Sequence, residues 1–189
     1  MALATLTDIQ HDLERVIDGD VRTDAVSRTL FSTDASIYQV QPLGVVFPRH
    51  AEDLQAVVEY AARHAIPLLP RGSGSSLAGQ TVGEALVLDC SRYMNQMLDI
   101  DVEQSRALVQ PVIVLNNLNE QIAKHGLNFG PDPAAADRAT IGGMMGNNST
   151  GAHSFQYGMT ADHILSVDVL LADGTAAAGS DYANTTGLV

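Results

Sequence analysis

Apolar residues recur along this chain at two different spacings, and the alternation between them lays out most of its elements. Leu54, Val57, Val58 and Ala61 fall three and four residues apart, which predicts a helix from about Ala51 to His64. Glu52 and Asp53 in its first turn suit the positive end of the helix dipole. Short apolar runs bracket that helix, Gly44-Val45-Val46-Phe47 before it and Ile66-Pro67-Leu68-Leu69 after it, so the stretch reads as a strand, a helix and a strand. Ala85-Leu86-Val87-Leu88-Asp89 is a third strand, and Met97 to Asp101 with Arg106 to Gln110 read as a hairpin turning at Val102 to Ser105. A further helix is expected from about Val114 to His125, closed by Gly126. The last strand expected is Ile164 to Leu171, followed by Asp173-Gly174, a strong turn pair.

The ends are less patterned. Thr7-Asp8-Ile9-Gln10 has the form of a capping box opening a helix with Ile9, Leu13, Val16 and Ile17 on one side, closing near Asp18-Gly19-Asp20. Residues 21 to 43 mix Thr, Ser, Asp and Pro42 with isolated apolar positions and read as short helix and loop. Tyr182 to Val189 carry no pattern for a regular element.

Two glycine-rich segments interrupt the order: Pro70-Arg71-Gly72-Ser73-Gly74-Ser75-Ser76, directly after a strand, and Thr140-Ile141-Gly142-Gly143-Met144-Met145-Gly146-Asn147-Asn148-Ser149-Thr150-Gly151. Glycine lets the main chain turn through positive φ and bring bare N–H groups against a ligand. The short polar side chains of Ser73, Ser75, Ser76, Asn147, Asn148 and Ser149 suit phosphate or ribose oxygens, and equally suit plain turns. Loops at the carboxyl ends of parallel strands are where such folds bind ligands.

Composition narrows the partners. With 46% hydrophobic and 17% charged residues the 189-residue chain is expected to bury a core as one domain or two small lobes. Ten Lys and Arg against 22 Asp and Glu give a formal charge of -12, which repels a nucleic-acid backbone and an anionic membrane surface. An anionic cofactor still fits, because main-chain amides act locally. Cys90 is the one cysteine, so no intrachain disulfide or multi-cysteine metal site is expected, and a reducing cytoplasm is the simplest compartment. The N-terminus shows no basic leader and no window approaches the ~20 apolar residues of a membrane span, so no membrane span is expected. Gly72-Ser73-Gly74 is not a Walker A loop, since no Gly-Lys-Ser/Thr follows. Neither is it a Rossmann fingerprint, because Leu77 stands where the third glycine would.

Taken in order, Pro70 to Gln80, Pro131-Asp132-Pro133, Ala139-Thr140-Ile141-Gly142-Gly143, Asn147-Asn148-Ser149-Thr150-Gly151, Tyr157-Gly158, Asp162-His163 and Val169 to Gly174 resemble the FAD-linked oxidase family. This family shares the flavin domain of vanillyl-alcohol oxidase and p-cresol methylhydroxylase. Within it the likeness is to D-lactate, glycolate and D-2-hydroxyglutarate dehydrogenases, above all the large forms with an iron-sulfur module. The resemblance implies an α+β, two-lobed FAD-binding domain with a small βαβ lobe and a larger mixed-sheet lobe, truncated at its C-terminus. Its divisions would be an N-terminal helical lead over 1–43, a first lobe over 44–98 and an incomplete second lobe over 99–189.

The resemblance also implies roles. Arg71, Gly72, Ser73, Gly74, Ser75, Ser76 and Leu77 would wrap the FAD pyrophosphate, with Gly74 at the point of close approach, and Pro70 and Gln80 would also bind the cofactor. Thr140, Ile141, Gly142 and Gly143 would line the flavin and ribityl chain, Asn148, Ser149 and Gly151 would continue the wall, and Pro131, Asp132, Ala139, Asn147 and Tyr157 would also bind the cofactor. Ile164 would meet the adenine through its main chain. Some relatives tether the flavin through a histidine in the first loop; Ser75 stands near that point, so non-covalent FAD is expected. Where relatives often carry glycine after Gln110-Pro111 this chain has Val112, a clash if the turn needs positive φ.

His153 follows the Asn-rich turn and is either a contact to a substrate carboxylate or the flavin ring, or a surface histidine. His163 beside Asp162 reads as structural, and His11, His50, His64 and His125 do not cluster as metal ligands. Met94, Met97, Met144 and Met145 read as packing. The function implied is oxidation of a 2-hydroxy acid by hydride transfer to flavin, in a parent FAD-dependent oxidoreductase acting on CH–OH donors. The chain alone is expected to be inactive, with catalytic base, substrate arginines and any iron-sulfur cluster lying elsewhere in that parent. Two alternatives stay open: a non-catalytic fragment or scaffold that no longer binds FAD, and a flavin oxidoreductase acting on another alcohol. Oligomeric state is not readable.

Overall fold

The computed structural model describes residues 5–179, which divide into two compact units. One holds the chain through Met94 together with Ala172–Gly174; the other holds Asn95–Leu171 and the residues from Thr175. Tyr182 to Val189 lie outside the described residues.

The first unit runs α1 (Leu6–Leu13), β1 (Asp20–Arg22), α2 (Ala25–Leu30), β2 (Gly44–Phe47), α3 (Ala51–His64), β3 (Leu68–Arg71) and β4 (Leu86–Asp89), ending in a 3-10 turn over Cys90–Arg92. Its strands form one sheet in the order β1-β2-β4-β3, with β4 parallel to both β2 and β3 and β1 antiparallel to β2. The strands joined by α3 are therefore not neighbours, because β4 inserts between them. Every residue of β2 and β4 is buried, as central strands covered on both faces must be. Alternation sorts their side chains: Val46, Leu86 and Leu88 meet Ile9, Leu13, Ile17, Val57 and Tyr60, while Val45, Phe47 and Val87 meet Phe31, Leu69 and Tyr93.

Three boundaries differ from the sequence expectation, each for a physical reason. The capping box of α1 is Thr5 with Asp8 rather than Thr7 with Gln10: the Thr5 hydroxyl accepts from the Asp8 amide at 3.2 Å, and the Asp8 carboxylate accepts from the Thr5 amide at 2.9 Å. A carboxylate is the stronger acceptor. Helix α1 then ends at Leu13, which turns Val16 outward, 58% exposed, while Ile17 stays in the core. Strand β3 begins at Leu68 rather than Ile66, because α3 closes through Ala65 at φ 54 with the Ile66 amide returning to the Ala61 carbonyl at 2.9 Å. Pro70 thus falls inside β3, at the sheet edge, where its missing donor costs least.

The N-terminal segment is built into this unit. Its β1 joins the sheet, and the Asp53 carboxylate, 2% exposed, accepts from the amides of Asp18 at 2.9 Å and Arg49 at 2.8 Å. A Cβ on Gly19 would run into the Phe47 carbonyl.

The second unit runs β5 (Met97–Asp101), β6 (Arg106–Val109), α4 (Leu115–Ala123), α5 (Ile141–Gly146), α6 (Ser154–Tyr157), a 3-10 turn over Thr160–His163, β7 (Val167–Leu170) and β8 (Ala176–Gly179). Among the described residues its strands form two antiparallel hairpins, β5-β6 and β7-β8, rather than one mixed sheet. The core is made by helices instead: Leu115, Leu118 and Ile122 of α4 and Ile141 and Met144 of α5 close on Ile113 and Ala139, with Met97, Ile100 and Val109 of the hairpin against them. Helix α4 is shorter than expected, stopping at Ala123 with Gly126 at φ 72 beyond it.

Candidate functional site

The first glycine-rich segment leaves β3 at Arg71, and a second stretch of the same unit holds it from behind. The Arg71 guanidinium donates to the carbonyls of Thr33 at 2.9 Å, Thr81 at 3.0 Å and Phe31 at 3.5 Å, and lies over the Phe31 ring at 5.2 Å. The Ala35 amide donates to the Gly74 carbonyl at 3.0 Å. The Asp34 carboxylate accepts from the Thr81 hydroxyl at 2.9 Å, and Tyr38 packs against Gly79, which sits at φ 75. Burial pulls the Arg71 pKa down against the pull of Asp89 and Asp34. Burial works to raise that of Asp34, but hydrogen bonds from Ser36 and Thr81 outweigh it and leave it below the ordinary value.

Side chains thus fix the back of the loop while its front stays open. Among the described residues, no acceptor receives the amides of Ser73, Gly74, Ser75, Ser76 or Leu77. With Gly74 at φ 68, this solvent-facing run of amides that the chain itself does not use has the form of an anion cradle. The side chains contribute less than expected. Arg71 is committed to carbonyls, and Ser76 donates to Gln80 Oε1 at 2.6 Å and accepts from Ala78. Ser73 and Ser75 face solvent 3.5 Å apart. A Cβ on Gly74 would meet the Arg71 guanidinium, so a side chain there breaks the loop's own anchor before it touches any ligand.

The second segment is helix where loop was expected. Thr140 is the N-cap of α5, its hydroxyl accepting from the Gly143 amide at 3.3 Å. Ile141 and Met144 enter the core, and Thr140 and Ala139 are buried with them, so these side chains form the floor under the helix. Gly142 donates to the Pro111 carbonyl at 2.7 Å, and a Cβ there would stand 2.9 Å from that oxygen. A Cβ on Gly151 would collide with the Asp132 carbonyl and the Pro133 nitrogen, and the Ala152 amide donates to Asp132 O at 3.0 Å. Pro131-Asp132-Pro133 and the turn at Gly151 are therefore zipped backbone to backbone. Asn148, at φ 46, spends its side chain on the Ala161 amide at 2.9 Å, and the Ser149 carbonyl accepts from buried Thr160 through its amide and hydroxyl. What α5 turns outward is Gly143, Gly146 and Asn147.

A cleft of about 570 Å³ lies beside this segment, lined by Asn116, Asp132, Pro133, Asp137, Thr150 and Gly151 among others. His153 Nδ1 is 3.6 Å from Asp132 Oδ2, and its ring meets that of Tyr157 edge-on at 6.3 Å. His163 Nε2 donates to the Tyr157 carbonyl at 2.9 Å and its ring packs on Phe129, a structural placement. The Ile164 amide donates to the Ala161 carbonyl at 3.2 Å, and among the described residues its own carbonyl receives no backbone amide. Val112 is buried, 7% exposed, and does not have positive φ, so the anticipated clash does not arise. The sequence reading missed the 31–38 support, whose partners are about forty residues distant, and missed Gly146. The donor set of the first loop fits the phosphates of a flavin nucleotide. Among the described residues no group of three His, Cys, Asp or Glu could hold a metal, and no helix is long and apolar enough to cross a membrane.

Comparison with known proteins agrees with this fit. The family described as FAD binding domain matches residues 42–178. D-2-hydroxyglutarate dehydrogenase of Pseudomonas putida is 38% identical over 159 residues, covering 82% of this chain and 16% of that protein. Glycolate oxidase subunit GlcD of Bacillus subtilis is 35% identical over 149 residues, covering 78% of this chain and 32% of that protein. The chain thus spans less than a third of either relative. Among solved structures, an alkyldihydroxyacetonephosphate synthase superposes with a TM-score of 0.82 at 22% identity, over 90% of this chain and 34% of that one, a likeness of fold. The fold is the expected α+β, p-cresol methylhydroxylase-type FAD-binding domain.

Proposed function

The chain belongs to the FAD binding domain family, with FAD as its cofactor, and on that premise we propose that it is the flavin-holding part of a dehydrogenase or oxidase acting on a 2-hydroxy acid of the D-2-hydroxyglutarate, glycolate or D-lactate type. FAD, when bound, supplies the hydride acceptor for the carbon that bears the hydroxyl. The observation that carries the reading is the run of unpaired amides from Ser73 to Leu77, held open by Arg71 from behind. Those amides take the pyrophosphate. The outward face of α5 at Gly143 and Gly146 lets the ring system approach, and the Ile164 carbonyl takes an adenine donor. Asp132 orients His153, whose imidazole then stands beside the cleft to meet the carboxylate of a 2-hydroxy acid. The names of the P. putida and B. subtilis relatives support this substrate class.

Retention is non-covalent, because the exposed Ser75 hydroxyl offers no histidyl nitrogen for a flavin link. We assign the protein to the cytoplasm, where a lone thiol stays reduced; burial pushes the Cys90 thiol up to about 11, out of the reactive range. FAD titration followed by flavin fluorescence tests the reading. Saturable quenching is expected, with a flavin spectrum that survives desalting and flavin released entirely into the supernatant on acid precipitation. Protein that stays colourless and quenches nothing overturns it, and flavin remaining in the pellet overturns the non-covalent assignment.

A further inference from the structure

The N-terminus of α3 carries a histidine with a carboxylate at each ring nitrogen. His50 Nε2 is 3.2 Å from Asp18 Oδ2, and Nδ1 is 3.1 Å from Glu52 Oε2, at an angle that makes no hydrogen bond. A neutral imidazole has one N–H and one lone pair, so in either tautomer one of these carboxylates faces a lone pair. Only the imidazolium suits both. Nε2 is also 3.6 Å from Asp53 Oδ1, and Asp53 is the buried carboxylate that holds the Asp18 and Arg49 amides. A buried anion is costly unless compensated, and His50 is the side chain placed to compensate it.

We propose that His50 is a pH-dependent clasp: as an imidazolium it ties the loop before β1 to α3, and loss of its proton loosens the N-terminal segment from the sheet. The segment has reason to depend on that tie. Asp18 stands between Ile17, which is in the core, and Gly19, which is pressed on the Phe47 carbonyl, so releasing Asp18 frees the connection from α1 to β1. The charged groups facing His50 are Asp18 from the loop before β1 and Glu52 and Asp53 from α3, all anionic. Its neighbour Arg49 is turned onto the Tyr93 ring at 4.9 Å. The His50 pKa is raised above its ordinary 6.5, first by the Asp18 hydrogen bond, against partial desolvation, then by the charges of Asp53, Glu52 and Asp18. A group whose folded pKa is raised contributes stability that is complete below 6.5 and is lost as pH rises through the folded value.

Histidine ring NMR of the full chain, with the His50 resonance assigned through its disappearance in His50→Gln and independently by backbone correlation, tests this. The His50 midpoint is expected above 6.5 and is expected to fall in Asp18→Asn, a surface change that leaves the Asp18 amide to Asp53 intact. Trypsin cleavage at the exposed Arg15 gives the conformational readout, taken as the ratio of wild-type to His50→Gln rate at each pH. That ratio is expected to be severalfold below unity at pH about 6 and to approach unity above pH about 8, as the linkage sign requires. A His50 midpoint at or below the ordinary value, a midpoint unmoved by Asp18→Asn, or a cleavage ratio flat with pH overturns the clasp. The histidine midpoint and the Asp18→Asn shift decide it even if His50→Gln does not fold.

Discussion

The loop after β3 and the helix α5 are comparably rich in glycine and use it in opposite ways. In the loop, the amides from Ser73 to Leu77 reach no acceptor in the described chain, and the backbone of the 31–38 stretch holds it in place, the Thr33 carbonyl through Arg71 and the Ala35 amide through the Gly74 carbonyl. In α5 the amides are consumed by the chain, Met144 by the Thr140 carbonyl at 2.8 Å, Asn147 by that of Gly143 at 3.1 Å and Gly142 by that of Pro111 at 2.7 Å. There glycine serves close packing, Gly142 on Pro111 and, just beyond the helix, Gly151 on Asp132. Glycine content therefore does not by itself mark an anion cradle. The distinguishing quantity is where the backbone donors go.

Breaking the packing side of that contrast should give the largest effect on stability. Gly151→Val puts a Cβ into the Asp132 carbonyl and Pro133 nitrogen, all backbone atoms that cannot swing aside. It is expected to destabilise the protein by about 3 kcal/mol or more, read from denaturant midpoints; a loss under about 1 kcal/mol would show that the two segments are not zipped. Breaking the cradle side should cost less stability and more ligand. Arg71→Ala removes charge-assisted bonds to the Thr33 and Thr81 carbonyls, worth about 2 kcal/mol in stability, and leaves the loop amides without a backing. FAD affinity is expected to fall about tenfold, roughly 1.4 kcal/mol. Arg71→Lys should lose nearly as much, since an ammonium cannot fork between two carbonyls. Unchanged affinity in both variants would mean that the amides hold their arrangement without Arg71.

The same contrast explains what could be read from the residues alone. Helix α3 and strands β2 and β4 were legible because their burial follows from local periodicity, Val57, Val58 and Ala61 on one helix face and unbroken apolar runs in the strands. The first loop was legible as an open turn because glycine and serine follow the parallel strand β3 directly. The identity of its support was not, since Thr33 and Thr81 lie 38 and 10 residues from Arg71 and act through carbonyls, which every residue has. Helix α5 was illegible for the opposite reason. Gly142, Gly143 and Gly146 carry helix penalties of about 1 kcal/mol each, which the burial of Ile141 and Met144 and the Thr140 cap offset only in the folded unit. In the 140–151 segment the sequence showed the glycines and not the helix that Ile141–Gly146 form.

Gly146 separates the two uses of glycine most finely. Gly142 and Gly143 are crowded by their own chain, with a Cβ 2.9 Å from Pro111 O and from Thr140 Oγ1 respectively, whereas a Cβ on Gly146 meets nothing within 4 Å. Its backbone is helical with no positive φ, so the fold has no need of glycine there. A glycine in a helix costs about 1 kcal/mol relative to alanine, and if the chain does not require it, the space it leaves serves something that approaches α5 from outside. Gly146→Leu is thus expected to be neutral or to raise the denaturant midpoint slightly, by under about 1 kcal/mol, while weakening FAD about tenfold or more through the side chain it projects from the exposed face. The pairing of the two readouts is what decides. Weaker binding with unaltered stability assigns the outer face of α5 to the cofactor; unaltered binding with a gain in stability would leave the cofactor to the loop amides and make α5 a packing helix throughout.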